Sequence, residues 1–197
     1  MRIGTKEQLV RFSFCRLLEP HPDMDKKLKY SVQVVIPKTY TEIIKNVKMA
    51  ISRAVKKGIE KKMFTEEMTT KPMFWACLRD GDQKASDVIG GTQDYLKDCM
   101  FFTAKSAEIS PPFVVDRYLK PITNRDVIYS GCYGIAEINF YPFPSGKGGI
   151  AAGLNGVMKR EEGDRLDGSA TVNAFGDLKE TEDTGPSEGG SMFSDLM

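Results

Sequence analysis

With 197 residues and 22.0 kDa the chain can enclose a hydrophobic core without disulfides or metals. Its 41% hydrophobic and 28% charged residues exclude wholesale disorder, collagen-like repeats and a coiled coil. The net charge of +1 hides an asymmetry: residues 177–197 set six carboxylates against Lys179, which is −5, and so leave about +6 on the rest. A mildly basic body with an acidic tail suits a nucleic-acid partner, a solubilising tail being the plainer alternative. No stretch approaches the roughly 18 apolar residues of a membrane span, and MRIGTKEQLVRF lacks the apolar core of a secretory leader, so a cytosolic protein is expected.

LVRFSFCRLLE (9–19) alternates, with Val10, Phe12 and Phe14 sharing one face of a strand. EPHPDMDKK reads as a loop, and KYSVQVVIPK resumes the alternation through Tyr30, Val32, Val34 and Ile36, so the two segments predict a hairpin. From Thr41 to about Met63 the period lengthens: Ile44, Val47, Ile51, Ala54, Val55 and Ile59 recur at helical spacing, with Thr39 or Thr41 as the cap. The opposite side of that helix carries Lys45, Lys48, Arg53, Lys56, Lys57, Lys61 and Lys62, a solvated face or a phosphate-contacting one.

PMFWACLRDGD, CMFFTAKS, PPFVVD and DVIYSGCYGIAEINFYPF then read as strands, with Gly131 and Gly134 permitting a bend. GKGGIAAGLNGVMKRE is glycine-rich enough for tight curvature or close backbone approach. Many strands with one long helix predict a mainly β protein, a small barrel or sandwich rather than a parallel α/β sheet. The domain is expected over residues 1–176. A flexible acidic tail follows over 177–197, ending in an apolar cluster that includes Met192, Phe193 and Leu196, the composition of a linear docking motif.

Cys15, Cys77, Cys99 and Cys132 form no CxxC pair and read as small buried hydrophobes in a reducing compartment. The single histidine, His21, lies between two prolines and excludes the usual triads, and no phosphate-loop, nucleophile-elbow or HExxH motif is present. No cofactor and no catalytic residue is assigned. Asp80, Asp82, Asp87 and Asp94 form an acidic cluster that could hold Mg²⁺ in a nuclease, although Asp-Gly is first of all a turn pair.

The most informative pattern is aromatic residues interleaved with basic ones on β segments. Arg11 lies in the first strand, and Lys29 adjoins Tyr30. Phe74 and Trp75 precede Arg79, and Phe101 precedes Lys105. Tyr118 with Lys120 follows, then Arg125, Tyr129 and Tyr133, with Lys147 in the glycine-rich block. Unpaired nucleic acid is held by this chemistry: every base has a face that stacks on a ring, while Lys and Arg follow the phosphates. About half of the rings belong to the core, for which Phe12, Phe14 and Phe140 are the first expectation.

VRFSFCRLLEP, KYSVQVVIPK, RDGD, FFTAKS with PPFVVD, SGCYGIAEINFYPF and above all GLNGVMKREEGDRLDG resemble the single-stranded-DNA-binding proteins of tailed bacteriophages, a family once catalogued only as a domain of unknown function. The resemblance covers residues 9–176. It implies an OB-fold barrel, a five-stranded ring with one long amphipathic helix and extra strands. It also implies a non-enzymatic role in coating DNA during phage replication, recombination and repair in the cytoplasm of the infected bacterium. The tail is similar in plan to those of podophage replication proteins, in which a terminal aromatic recruits DNA polymerase and primase-helicase. Asp183, Glu188, Phe193 and Asp195 match that plan, with Phe193 four residues short of the end. A homo-oligomer is compatible with this reading, and a phage structural or assembly protein is the alternative outside DNA binding.

Overall fold

The computed structural model describes residues 1–23, 25–71, 74–86, 94–144 and 148–166, with backbone alone for 84–86. Asp87, Lys147 and the tail residues Asp183, Glu188, Phe193 and Asp195 lie outside the described residues.

Among the described residues there are eight strands, the longer ones built on alternating apolar residues: β1 (Arg2–Ile3), β2 (Val10–Pro22), β3 (Leu28–Pro37), β4 (Arg79–Asp80), β5 (Cys99–Ala107), β6 (Phe113–Val115), β7 (Tyr133–Phe143) and β8 (Gly149–Glu161). Five of them close into a ring, in which β2 pairs with β3, β3 with β5, β5 with β8, β8 with β7, and β7 with β2 again. A ring with an odd number of strands cannot alternate direction all the way round. One seam must therefore be parallel, and it is β5 with β8, through Ala104↔Ala152 and Lys105↔Gly153. This closed five-stranded arrangement is that of an OB-fold.

One face of each strand fills the ring. Phe12, Val32, Val34, Ile36, Phe102, Ala104, Ala136, Ile138, Ile150 and Val157 are all buried there, with a period of two along β3, β5 and β7 and a shift of phase in β8 where its register with β7 slips. Phe140 packs on the edge of this core, edge-to-face with Phe102 at 5.5 Å. The helix α1 (Thr41–Glu60) lays Ile43, Ile44, Val47 and Ala54 against the same core and keeps its lysines in water. Its N-cap is Tyr40, which makes no side-chain cap bond, so neither Thr39 nor Thr41 has the expected role.

Two other expectations need correction. The segment from Pro20 to Pro22 is strand, not loop: His21 pairs with Lys29 past an irregularity in register that accommodates the prolines. PMFWACLRDGD supplies only the two-residue β4, because β5 offers it pairing at Phe101 and Met100 and pairs with β8 further along. After it come α3 (Gly81–Ser86) and a single 3-10 turn (Asp94–Leu96), which lies on the outer face of the ring; Leu96 packs with Val35 and Phe101 there. The short α2 (Glu66–Thr69) is capped by Thr65, whose hydroxyl accepts from the Met68 N–H.

Candidate nucleic-acid interface

The outward residues of β3 and β5 stand opposite one another in the register Lys29↔Ala107, Ser31↔Lys105, Gln33↔Thr103 and Val35↔Phe101. Above them runs a trough. Its larger part has a volume of about 720 Å³, walled by Trp75, Arg79, Tyr141 and Phe143, and a smaller part of about 370 Å³ reaches Arg16, His21 and Asp23 at the β2–β3 hairpin. The two parts share Phe14, Lys29, Gln33, Thr103 and Lys105, so they form one continuous surface.

Three rings project into this trough with faces open to water: Phe14 is 54% exposed, Trp75 49% and Tyr141 42%. Phe14 is the main departure from the alternation, which placed it in the core beside Phe12. A bulge in β2 between Ser13 and Arg16 shifts the register, and Phe14 sits at φ +48°, turning its ring outward while Phe12 stays fully buried. A left-handed conformation costs a non-glycine residue about 1–2 kcal/mol. Tyr141 and Phe143 are not among the sequence candidates, although the pattern carries their signal: they alternate with Ile138 and Phe140, which face inward.

Trp75 is held from two sides. Its backbone bridges to β8, with Trp75 N–H donating to the Gly148 carbonyl at 3.3 Å and Ile150 N–H to the Trp75 carbonyl at 2.8 Å. Gly149 makes this approach possible, since a Cβ there would stand 2.6 Å from the Trp75 Cβ. On the indole, the Arg79 guanidinium stacks at 4.0 Å from the ring centroid. Lys29 and Lys105 line the floor: Lys29 Nζ is 2.5 Å and Lys105 Nζ 4.0 Å from the Asp23 carboxylate. The hydrogen bond from Lys29 holds the Asp23 carboxyl below the usual carboxylate range.

The trough thus brings together Lys29, Trp75, Arg79, Phe101 and Lys105 of the sequence candidates, Phe101 only as a buried floor residue beneath Leu96. The others lie elsewhere. Tyr30 falls on the opposite side of β3 from Lys29, and Phe74 packs edge-to-face on Phe64 at 5.0 Å. Arg11 donates to the carbonyls of Gly131 (3.2 Å) and Asp164 (2.9 Å) and lies over Tyr133 at 5.5 Å, tying two loops together. Tyr129 is buried, its hydroxyl donating to Glu162 at 2.6 Å, and Arg165 covers its ring at 4.2 Å. Arg125 pairs with Glu19 beside a separate cleft, and Tyr118 and Lys120 occupy an exposed turn after β6.

The acidic cluster has a structural employment. Lys38 Nζ lies 2.8 Å from Asp80 and 2.6 Å from Asp82, and Asp82 also accepts the Asp98 N–H at 2.7 Å, so the carboxylates anchor the crossing segment to the end of β3. Lys38 pulls both carboxyls below their usual range, and they in turn push its own ammonium upward. Among the described residues no group of three or more His, Cys, Asp or Glu is placed to hold a metal, and no helix is long and apolar enough to cross a membrane. None of the four cysteines is joined in a disulfide; Cys77 and Cys132 are buried, whereas Cys15 and Cys99 are half-buried. Burial pushes the Cys77 thiol up to about 11.

Comparison with known proteins agrees with this architecture. The solved single-stranded DNA-binding protein of bacteriophage Enc34 in complex with ssDNA superposes with a TM-score of 0.66 at 22% identity, over 80% of this chain and 86% of that one. The single-stranded DNA-binding protein gp2.5 of bacteriophage T7 follows with a TM-score of 0.55 at 14% identity, covering 91% and 93% of the two chains. At such identities these likenesses establish the fold. In sequence, the putative protein p50 of Acyrthosiphon pisum secondary endosymbiont phage 1 is 33% identical over 183 residues, 88% of this chain and 93% of that protein. The family model of the Enterobacter phage Enc34 ssDNA-binding protein matches residues 1–185, so the chain belongs to that family of phage binding proteins, which are not enzymes.

Proposed function

We propose that this protein binds single-stranded DNA along the trough, stacking bases on Phe14, Trp75 and Tyr141 while Lys29, Arg79 and Lys105 neutralise phosphates. The observation that carries the reading is the convergence of three half-exposed rings with Lys29, Arg79 and Lys105 on one face of the barrel, the face on which OB-folds take oligonucleotides. Stacking reads no base edge, so binding is without sequence preference, and the protein coats strands exposed in phage replication, recombination and repair. This work takes place in the cytoplasm of the infected host. The acidic tail, through Asp183, Glu188, Phe193 and Asp195, competes with DNA for the basic trough and recruits the phage polymerase or primase-helicase. Family membership and the ssDNA-bound relative of the same fold support the binding; the charge division along the chain supports the tail role.

Fluorescence anisotropy of labelled oligo(dT) across a salt series tests this. Three to four phosphates neutralised give log K against log[salt] a slope of about −2 to −3. Oligonucleotides left unbound at low ionic strength, with the protein in large assemblies, would favour the structural-protein alternative.

A further inference from the structure

Among the described residues Asp23 is the one carboxylate lining the trough, and its side chain is only 10% accessible. It has two sets of partners. One oxygen, Oδ1, accepts the backbone N–H groups of Asp25 (2.9 Å) and Lys27 (3.3 Å), which closes the turn between β2 and β3. The other, Oδ2, faces Lys29 at 2.5 Å and Lys105 at 4.0 Å, two lysines on adjacent strands. The turn needs only an acceptor at this position, and asparagine would satisfy it. The negative charge is therefore unexplained by the turn, and it stands where the two lysines converge.

We propose that Asp23 is a built-in counter-anion of the trough, occupying the position between Lys29 and Lys105 that a DNA phosphate takes on binding and thereby setting the affinity below what the two lysines alone would give. This rests on the trough being the DNA site. An incoming phosphate exchanges for the carboxylate as the partner of both ammonium groups, and Asp23 keeps its turn bonds through Oδ1. A strand held this way can be released readily, as a protein that must clear the way for copying requires.

The test uses the full chain and oligo(dT) at about 0.1 M salt. Asp23→Asn keeps the turn acceptor and removes the charge. It is expected to bind about three- to tenfold more tightly, with the salt slope steeper by about 0.7 for one more phosphate neutralised. Asp25→Asn, which removes an exposed charge two residues away, is the control and should stay within about twofold of wild type. Equal affinity and slope in wild type and Asp23→Asn, with unchanged Tm, would overturn the proposal and leave the trough intact. Absence of binding in both would instead refute the trough itself. A readout free of DNA comes from carbon-detected NMR titration: the Asp23 carboxyl should titrate below the usual range, and an ordinary midpoint would overturn the ion pair on which the exchange depends.

Discussion

Phe12 and Phe14 lie two residues apart, and a regular strand would give them one fate; the bulge gives them opposite ones. Phe12 is fully buried among the ring residues, so Phe12→Ala removes a core side chain and should destabilise by about 3–5 kcal/mol. Phe14 is 54% exposed at φ +48°, so Phe14→Ala loses little burial and should change stability by less than about 1 kcal/mol. Phe14→Gly should be neutral or stabilising, because glycine accepts that conformation without the roughly 1–2 kcal/mol of crowding. Binding should invert the order. Loss of one stacked base is worth about 1–3 kcal/mol, so Phe14→Ala should weaken oligo(dT) about 5- to 150-fold. Urea unfolding read by circular dichroism and anisotropy on the same preparations separate the two effects. A Phe14→Ala protein that unfolds as easily as Phe12→Ala, or that binds as wild type does, would refute the bulge-borne ring.

The remaining expectations concern charge and the segment that crosses the barrel. Arg79→Ala should weaken binding and lower the salt slope by about 0.7, while Arg125→Ala, outside the trough, should leave both unchanged; anisotropy at four or five salt concentrations checks both. Asp80 and Asp82 have carboxyls depressed by Lys38, so their stabilising effect is present above the unfolded value near pH 4 and is lost as pH falls through the lower folded values. Acid denaturation should therefore be less steep below about pH 4 in Lys38→Met, and an unchanged acid limb would contradict the anchor. Truncation after Gly176 should tighten DNA binding, most at low salt, whereas an unaltered affinity would remove the tail from the competition.

Much of the barrel was legible because strand residues that face a closed core must alternate: Tyr30, Val32, Val34 and Ile36 are a period-two run, and of the residues at helical spacing in α1, Ile44, Val47 and Ala54 are buried while Ile51, Val55 and Ile59 pack at the edge of the core. The long glycine-rich β8 could be read as curved backbone, and Gly149 indeed admits Trp75 against it. What alternation cannot reveal is where it breaks. The Phe14 bulge has no glycine or proline to announce it, and it reverses a core assignment into an exposed ring. Nor does local pattern say which of several mixed aromatic and basic segments meet in space. Tyr129 and Arg11 lie in mixed aromatic and basic segments as Trp75 and Lys105 do, yet long-range partners at Glu162, Gly131 and Asp164 absorb them. His21 shows the opposite case: its two flanking prolines read as loop, yet it stands in strand at the smaller end of the trough.

Trp75, the only tryptophan, forms one wall of the trough and so reports on it directly. Titrating its fluorescence with oligo(dT) should give quenching that saturates with binding, is reversed by salt, and persists in Tyr118→Ala but diminishes in Lys105→Met. A strand that binds with the same affinity while leaving the indole emission untouched would mean that DNA travels over some other face of the barrel.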